Sequence, residues 1–354
     1  MKVYDTEKIR NIAIISHGGA GKTTLTEAML HNAGVTKRVG KVEDGNTVTD
    51  YDAEEIGRQI SINTSLAPHD WEGCKINILD TPGFADFIAD VKSALRVVDG
   101  VSMVVSAPDG VEVLTEEYWK LAEKHDLPRT IFINKMDREN ADFEGTYEQL
   151  KESFGGGVVA LQIPMGSEDD FHGVIDILKG KAFAASDGKG LQEQEVPSEF
   201  ADKIDEYKED LIEAVAENDD EVLMKYLEGE ELTDEEINSC LKEGIINGTV
   251  FPVLCGSAVK NIGVDLLQGF IAEYMPNPRD VSEEKDLDDK PFAGLVFKTL
   301  SDPYTGKVSF IRVFQGKLTA DKPLYNPNQE IEEKIGQLLI MRGKNQEQAD
   351  EVLF

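Results

Sequence analysis

Short apolar runs separated by polar, helix-compatible stretches dominate the first part of the chain. The runs lie near residues 10–15, 75–79, 101–105, 130–133 and 249–254. A short apolar run between turn signals is typical of a strand buried on both faces, and strands that alternate with helices form a parallel sheet. The pattern therefore predicts a doubly wound, mostly parallel α/β sheet, whose ligand lies at the carboxyl ends of the strands.

Two segments depart from this alternation. Residues 60–66 alternate between apolar and polar side chains, which predicts a half-buried strand paired with residues 75–79. Residues 36–58 have little apolar periodicity and are rich in Gly, Asp and Thr. They are therefore predicted to form a mobile loop rather than a core element.

The spacing of the runs also predicts how the chain divides into domains. The interval from Asp137 to Ser257 is far longer than one helix and its loops need, so an inserted α+β subdomain is predicted at about residues 158–250. It would contain a turn-rich strand section followed by acidic helices. Prolines stop the helix predicted at residues 266–273, and we place the first domain at residues 1–280.

A second domain is predicted after a charged linker at residues 281–290. Residues 291–354 have a β pattern, and the sequence stops at Phe354 without a turn or a polar tail. An open barrel would be left with an unpaired edge strand. We therefore expect residues 291–354 to be the N-terminal part of a β-barrel and the chain to be truncated within it.

Composition narrows the class of protein. The formal net charge is −32, which argues against non-specific coating of nucleic acid, because phosphates need neutralising cations. The three cysteines are widely spread, which indicates free thiols in a reducing compartment and no metal set. No apolar run approaches the roughly 20 residues that span a bilayer, and the start of the chain lacks a signal-peptide core. We expect a monomeric, cytoplasmic protein with no membrane contact.

The loop after the first apolar run has the composition of a phosphate-binding loop. Glycines let successive N–H groups point at a polyphosphate, and the new helix adds the positive end of its dipole. Lys22 can reach the β- and γ-phosphates, and the Thr23 hydroxyl can ligate Mg²⁺. An ordinary glycine turn is the alternative, but Gly-Lys-Thr-Thr at a strand-to-helix junction argues against it. The predicted nucleotide contacts of this loop are Ser16, His17, Gly18, Gly19, Ala20, Gly21, Lys22, Thr23 and Thr24.

The loop after the second apolar run, residues 75–79, is predicted to sense the γ-phosphate. Asp80 can hold Mg²⁺ through a water, and the Gly83 N–H can face a γ-phosphate. The alternative is a Pro-Gly turn in which Asp86 caps the next helix. We assign catalytic roles to Lys22, Thr23 and Gly83. The predicted nucleotide contacts of this loop are Asp80, Thr81, Pro82, Gly83 and Phe84.

Two later loops predict which base is bound. The Asp137 carboxylate can accept hydrogen bonds from guanine N1–H and the 2-amino group, neither of which adenine offers. Asn134 can tie its loop to the phosphate loop, and the Ala258 N–H can meet guanine O6. Each segment alone is a weak signal, because Asn and Asp after a strand usually make turns. The predicted contacts are Asn134, Lys135, Met136, Asp137, Ser257 and Ala258.

These motifs resemble, in order and spacing, those of the translational GTPases. The likeness is closest to elongation factor G and its elongation-factor-G-like paralogues, because residues 291–298 and 302–307 resemble the start of that family's second domain. The resemblance implies a P-loop GTPase domain with a G′ insertion, followed by a β-barrel domain. It also implies GTP or GDP with Mg²⁺, and the ribosome as partner through rRNA and stalk proteins of the large subunit.

Three departures from the family pattern bear on hydrolysis. Phe84 replaces a histidine implicated in placing the attacking water, and Gly19 replaces an aspartate linked to monovalent-cation assistance. Ser61 replaces the Mg²⁺-ligating threonine of the first switch and keeps its hydroxyl, so the predicted metal ligands are Thr23, Ser61 and Asp80, the last through water. His17 is either a helper in hydrolysis or a loop-packing residue, and we favour the latter.

The predicted function is a GTP-hydrolysing translation factor, stimulated by the ribosome, that acts in translocation or in ribosome recycling. Two other functions fit the same residues. One is a nucleotide-gated ribosome-binding protein with little hydrolysis, and the other is a ribosome-protection or release-type factor.

Overall fold

The computed structural model describes residues 4–186, 190–282, 287, 290–302, 306–320 and 322–353. Most of the predicted linker at 281–290 and part of the segment 302–307 lie outside the described residues. The strands of the first 280 residues are β1 (Ile9–Ile15), β2 (Ser65–Trp71), β3 (Cys74–Asp80), β4 (Gly100–Ser106), β5 (Arg129–Asn134), β6 (Val158–Ala160), β7 (Gln162–Met165), β8 (Gly173–Asp176), β9 (Lys181–Ser186), β10 (Gly190–Gln194) and β11 (Phe251–Cys255).

Helices follow most strands of the first domain, as the alternation of the sequence predicts. They are α1 (Lys22–Asn32), α2 (Ala53–Arg58), α3 (Ile88–Leu95), α4 (Val113–Glu123), α5 (Phe143–Phe154), α6 (Ala201–Ala216), α7 (Asp220–Leu227), α8 (Asp234–Asn247) and α9 (Val264–Tyr274). Among the described residues, no helix combines the length and the apolar character needed to cross a membrane.

A seven-stranded sheet forms the centre of the first domain, in the order β2-β3-β1-β4-β5-β11-β6. All neighbours are parallel except β2, which runs antiparallel to β3. Ile12 and Ile14 pack into one apolar layer, whereas Ala13 and Ile15 pack into the other. Because strands with two buried faces need helices on both sides, the predicted doubly wound sheet is confirmed.

The strand predicted at residues 60–66 is wrong in its position. β2 begins only at Ser65, because the preceding backbone is bonded elsewhere. The amides of Ile62 and Asn63 donate to Glu55 Oε1 at 3.1 and 3.0 Å, and the Thr64 amide donates to Asp90 Oδ1 at 3.2 Å. These donors are therefore not available for a strand ladder.

The predicted loop at residues 36–58 contains one helix that periodicity did not reveal. α2 begins after Asp52, whose side chain accepts a hydrogen bond from the Glu54 amide, while Glu55 accepts one from the Asp52 amide. This capping box was a readable signal in Asp-Ala-Glu-Glu. The Asp86 cap is wrong: the short helical turn Ala85–Phe87 begins after Phe84, with no side-chain cap.

The region predicted as an insertion contains a second sheet and a helical layer. β10, β9, β8 and β7 form a four-stranded antiparallel sheet, and α6 to α8 follow it. One part of the predicted range lies elsewhere: β6 pairs in parallel with β11 and so extends the central sheet. The exact domain boundaries stay predictions.

The chain after residue 290 is rich in strands. They are β12 (Ala293–Asp302), β13 (Gly306–Gln315), β14 (Lys317–Thr319), β15 (Leu324–Asn326), β16 (Ile331–Glu333), β17 (Leu338–Arg342), β18 (Asn345–Ala349) and β19 (Glu351–Leu353). They form antiparallel pairs around a small core that includes Leu287, Val313 and Leu338. The predicted β-rich second domain is confirmed.

A buried ion pair joins the two domains. The guanidinium of Arg312 on β13 donates to both carboxylate oxygens of Asp99, at 2.8 and 3.2 Å. Asp99 also accepts a hydrogen bond from the amide group of Asn11 at 2.7 Å. The pair therefore attaches β13 of the second domain to the amino-terminal end of β4, and removal of either partner would leave a buried charge without its counter-charge.

Candidate nucleotide site

The phosphate loop lies between the end of β1 and the start of α1. Gly19 and Gly21 adopt φ angles of +88° and +103°, which L side chains rarely adopt. A Cβ on Gly21 would overlap Asn134 Nδ2, so this position also requires a glycine for space. Thr24 lies in the first turn of α1. The loop amides are thus presented at the carboxyl end of the sheet, as predicted.

Lys22 is buried within this loop. Its Nζ donates to Ser16 Oγ at 2.9 Å and to the carbonyl oxygens of Ser16 and His17 at 3.3 Å each. Burial lowers the pKa of Lys22 to about 8, although the nearby Asp80 carboxylate opposes that shift. Ser16, which stands where the usual motif has Gly, therefore supplies a hydroxyl to the ammonium. Held in this way, the ammonium lies in the cradle that a polyphosphate would enter.

The loop after β3 packs directly on the phosphate loop. A Cβ on Gly83 would overlap Lys22 Nζ and lie only 2.8 Å from Gly18 Cα, so only glycine fits. Thr81 Oγ1 donates to the Ile14 carbonyl at 2.7 Å, which fixes the loop to β1. Pro82, between these two residues, is buried. The structure thus brings the predicted γ-phosphate sensor next to the predicted phosphate-binding lysine.

The Phe84 ring covers the phosphate loop. A Cβ on Gly18 would lie 2.9 Å from Phe84 Cζ, and 39% of Phe84 remains exposed. His17 Nε2 lies 3.4 Å from Glu112 Oε1. That contact engages one ring nitrogen with a carboxylate and favours the packing role for His17.

Oxygen atoms converge beside Lys22. Thr23 Oγ1 lies 3.0 Å from Ser61 Oγ, and both hydroxyls lie beside the Asp50 carboxylate. Asp80 accepts a hydrogen bond from Thr49 Oγ1 at 2.8 Å, and the Thr23 hydroxyl lies beside the same carboxylate. The structure thus brings the three predicted metal ligands together. It adds Thr49 and Asp50, which the sequence reasoning missed because they lie in a loop without periodicity.

The cluster fits a hard divalent cation. Within the described part of the chain, Asp80 Oδ1 and Asp50 Oδ2 are buried and have no hydrogen-bond partner. Burial raises the pKa of both carboxyls, and the charge of Asp80 raises the pKa of Asp50 further. No group of three or more His, Cys, Asp or Glu side chains forms a metal cluster among the described residues. Mg²⁺ suits such a site, because it is usually bound by one or two carboxylates with substrate phosphates.

The loop after β5 links the phosphate loop to the loop after β11. Asn134 Nδ2 donates to the Ala20 carbonyl at 2.9 Å, as predicted, and Asn134 Oδ1 accepts from the Ala258 amide at 3.0 Å. The Ala258 N–H predicted to meet guanine O6 is therefore engaged by Asn134. Ser257 Oγ accepts from the Lys260 amide at 3.0 Å, which shapes the turn that follows β11.

The acceptor predicted to read the base is present and unsatisfied. Asp137 Oδ1 is buried and finds no hydrogen-bond donor in the described residues. Lys135 adopts a φ of +65°, and its Nζ lies 3.6 Å from Asp109 Oδ2. Met136 is fully buried and anchors the loop through its amide, which donates to the Gly256 carbonyl at 3.2 Å. A buried lone carboxylate oxygen is costly, so this geometry favours a ligand that donates to Asp137.

Comparisons with known proteins agree with this geometry. Residues 7–277 match the family of the Elongation factor Tu GTP binding domain, and residues 291–353 match Elongation factor G domain 2. The chain belongs to the translational GTPases of the elongation factor G type. It is similar to a protein of Thermus thermophilus of known crystal structure, with 33% identity and a TM-score of 0.89. The match covers 98% of this chain and 51% of that one, so this GTPase spans about half the length of that relative.

Membership in this family implies that the site binds a guanine nucleotide, typically with Mg²⁺. The predicted contacts of individual residues with that ligand stay predictions, as does the closer likeness to the elongation-factor-G-like paralogues. The structure shows where these residues lie, because the loops that carry them meet at the carboxyl ends of β1, β3, β5 and β11.

We expect magnesium binding by this translational GTPase to weaken as pH falls. A carboxyl has an ordinary pKa of about 4, and burial raises it for Asp50 and Asp80, so protons compete with the cation well above that pH. The Mg²⁺ affinity of the GDP complex, titrated from about pH 8 to about pH 5, should fall up to tenfold per unit below the raised pKa. In Asp50→Asn the Mg²⁺ affinity should depend less on pH, whereas in Asp52→Asn its pH dependence should be the same as in the parent protein. An affinity independent of pH would contradict the assignment.

Proposed function

We propose that this chain binds GTP and hydrolyses it on the ribosome, as a cytoplasmic factor that acts in translocation or in ribosome recycling. The observation that carries the proposal is the meeting of three features at one edge of the sheet. They are the buried Lys22 in its amide cradle, the Thr23–Ser61 hydroxyl pair beside Asp80, and the Asp137 oxygen without a donor among the described residues. Together they suit the phosphates, the cation and the base of one nucleotide.

The chain's own groups would bind and orient the triphosphate. Lys22 and the loop amides would neutralise charge between the β- and γ-phosphates, which is most of what phosphoryl transfer requires. Thr23, Ser61, Asp80 and Asp50 would hold Mg²⁺, which supplies further charge neutralisation on the same oxygens. The Gly83 amide would donate to the γ-phosphate. Loss of that phosphate would release the loops of Gly83 and Ser61 and change the affinity for the ribosome.

Intrinsic hydrolysis is expected to be slow. A phenyl ring neither donates nor accepts an ordinary hydrogen bond, so Phe84 cannot orient the attacking water. His17 is assigned a packing role rather than that of the missing group, because its Nε2 lies 3.4 Å from Glu112 Oε1. We therefore propose that the ribosome completes the site. The rate of phosphate release from GTP, measured with and without ribosomes, should rise on the ribosome, and an unchanged rate would remove this part of the proposal.

Replacement of Phe84 by histidine should speed intrinsic hydrolysis about tenfold or more, because a positioned imidazole can order and polarise water. The comparison is single-turnover phosphate release from saturating Mg·GTP without ribosomes. Phe84→Leu is the matched control, since it removes the ring but adds no hydrogen-bonding group, and its rate should stay near that of the parent. Equal rates for the two variants would contradict the role assigned to position 84.

A nucleotide-gated binding protein with little hydrolysis is the second candidate. Two positions favour it, because neither carries a side chain that could assist hydrolysis. The Phe84 ring, which contacts Gly18, has no group that orders water. Gly19 has no side chain, in a space where a Cβ would meet no described atom within 4 Å. Single-turnover kinetics on ribosomes separate the two candidates. Continued phosphate release supports the GTPase, and a persistent GTP complex supports the gated binder.

A further inference from the structure

Both ends of the loop that carries the cation ligands contact the second domain. We define this cation loop as residues 48–64, which include Thr49, Asp50 and Ser61. At its start, a Cβ on Gly343 would overlap the Val48 carbonyl oxygen, so the two backbones are in close contact. At its end, the Thr64 carbonyl accepts a hydrogen bond from Lys298 Nζ. Just beyond the loop, the Gly343 amide donates to the Leu66 carbonyl at 2.8 Å.

Two carboxylates of the first domain, Glu55 within the cation loop and Asp90 outside it, hold the end of the loop. Glu55 Oε1 accepts from the amides of the two residues that follow Ser61, at 3.1 and 3.0 Å. Asp90 Oδ1 accepts from the Thr64 amide at 3.2 Å, and the Thr64 hydroxyl donates to the Asp90 carbonyl. The position of Ser61 therefore depends on two negative charges that bind the three residues after it.

Lys298 provides the positive charge at this junction. It lies on β12, with its ammonium 5.8 Å from the centre of the Phe310 ring. Burial lowers the pKa of Lys298, and the attraction of Asp90 and Glu55 opposes that shift. Glu55 is itself 1% exposed, and buried carboxylates of this kind are stable only when a cation and hydrogen-bond donors compensate them.

We propose that Lys298 of the second domain is a positioning residue for the magnesium site of the first domain. Its ammonium binds the Thr64 carbonyl, while the Glu55 and Asp90 carboxylates hold the three amides that follow Ser61. The packing of the second domain on the cation loop and the binding of the cation are then linked, so each stabilises the other. This inference rests on the proposed Mg·GTP site and adds a residue that no nucleotide-binding motif includes.

The rival explanation is that Lys298 only packs the two domains together. Its loss would then lower stability and weaken nucleotide binding equally with and without magnesium. A positioning role predicts a different result. The magnesium-dependent part of binding would change, and the part due to the phosphate loop and the base would not.

Lys298→Met tests this directly, because methionine keeps a long apolar side chain and removes the charge. GDP affinity is measured by calorimetry across a Mg²⁺ titration and again in EDTA. We expect the Mg²⁺ concentration at half-maximal tightening to rise about tenfold, as for the loss of a charge-assisted hydrogen bond. Affinity in EDTA should change less than about twofold. Lys317→Met is the matched control, since Lys317 is exposed and its ion pair among the described residues is a surface one, with Glu351 at 3.4 Å.

Two outcomes would overturn the inference: an unchanged Mg²⁺ midpoint in Lys298→Met, or equal weakening in Mg²⁺ and in EDTA. If Lys298→Met does not fold, Asp90→Asn is tested in its place. This substitution removes a negative charge that attracts Lys298 and keeps an acceptor for the Thr64 amide. A raised Mg²⁺ midpoint with unchanged affinity in EDTA supports the inference, and an unchanged midpoint overturns it. Failure of the unmodified protein to bind any guanine nucleotide would overturn the proposed function instead.

Discussion

Replacement of Lys22 by methionine should weaken Mg·GTP binding by about 100- to 1,000-fold, the usual result of removing one partner of a buried charge pair. The ammonium already lies in the phosphate loop, where Ser16 and His17 hold it and burial lowers its pKa to about 8. A bound polyphosphate would place a full negative charge beside the Lys22 ammonium. The affinity is measured by calorimetry with Mg²⁺ present, for GTP and for GDP.

The control is Lys120→Met, because Lys120 lies on α4, is largely exposed and, within the described part of the chain, forms an ion pair with Glu116 one turn away. Its affinity should equal that of the parent protein. The thermal stability of Lys22→Met should stay near that of the parent, since Ser16 and His17 can bond water or each other when the ammonium is removed. Retention of full affinity in this variant would show that the triphosphate does not bind in this loop.

Asp137→Asn should change the base that the site selects, from guanine to xanthine. The Asp137 carboxylate, one oxygen of which has no partner among the described residues, can accept from guanine N1–H and the 2-amino group, whereas an amide would donate to the 2-oxo group of xanthine. Discrimination built on such buried groups reaches about 10⁴-fold, because the wrong base leaves them unpaired. The measurement is the ratio of the affinities for XDP and GDP in each protein.

Asp142→Asn provides the matched control for that ratio. Asp142 caps α5 by accepting a hydrogen bond from the Gly145 amide at 3.0 Å, a role that asparagine fulfils equally well. The control should therefore keep its preference for guanine. Unchanged guanine selectivity in Asp137→Asn would refute the assignment of base recognition to this loop.

The sequence by itself determined the elements whose signals are local. β1, β3, β4, β5 and β11 are each one apolar run, and the phosphate loop is one stretch of contiguous residues between a strand and a helix, so pattern and glycine chemistry identify them. The order of the loops along the chain was also sufficient, because parallel strands place their carboxyl ends at one edge of a sheet. The same locality explains why the sequence could assign Lys22, Asp80 and Asp137 to one edge of the sheet.

Only the tertiary structure decided the contacts between residues that are distant in sequence. Thr49 and Asp50 join Asp80 because a loop without periodicity folds across the end of β3, and no local pattern encodes that crossing. β2 starts late because the Glu55 carboxylate takes amides that alternation alone would assign to a ladder. Lys298 reaches the same loop from another domain. A sequence pattern records which face of an element is buried, but the pairing of buried charges and amides depends on the three-dimensional packing of the whole chain.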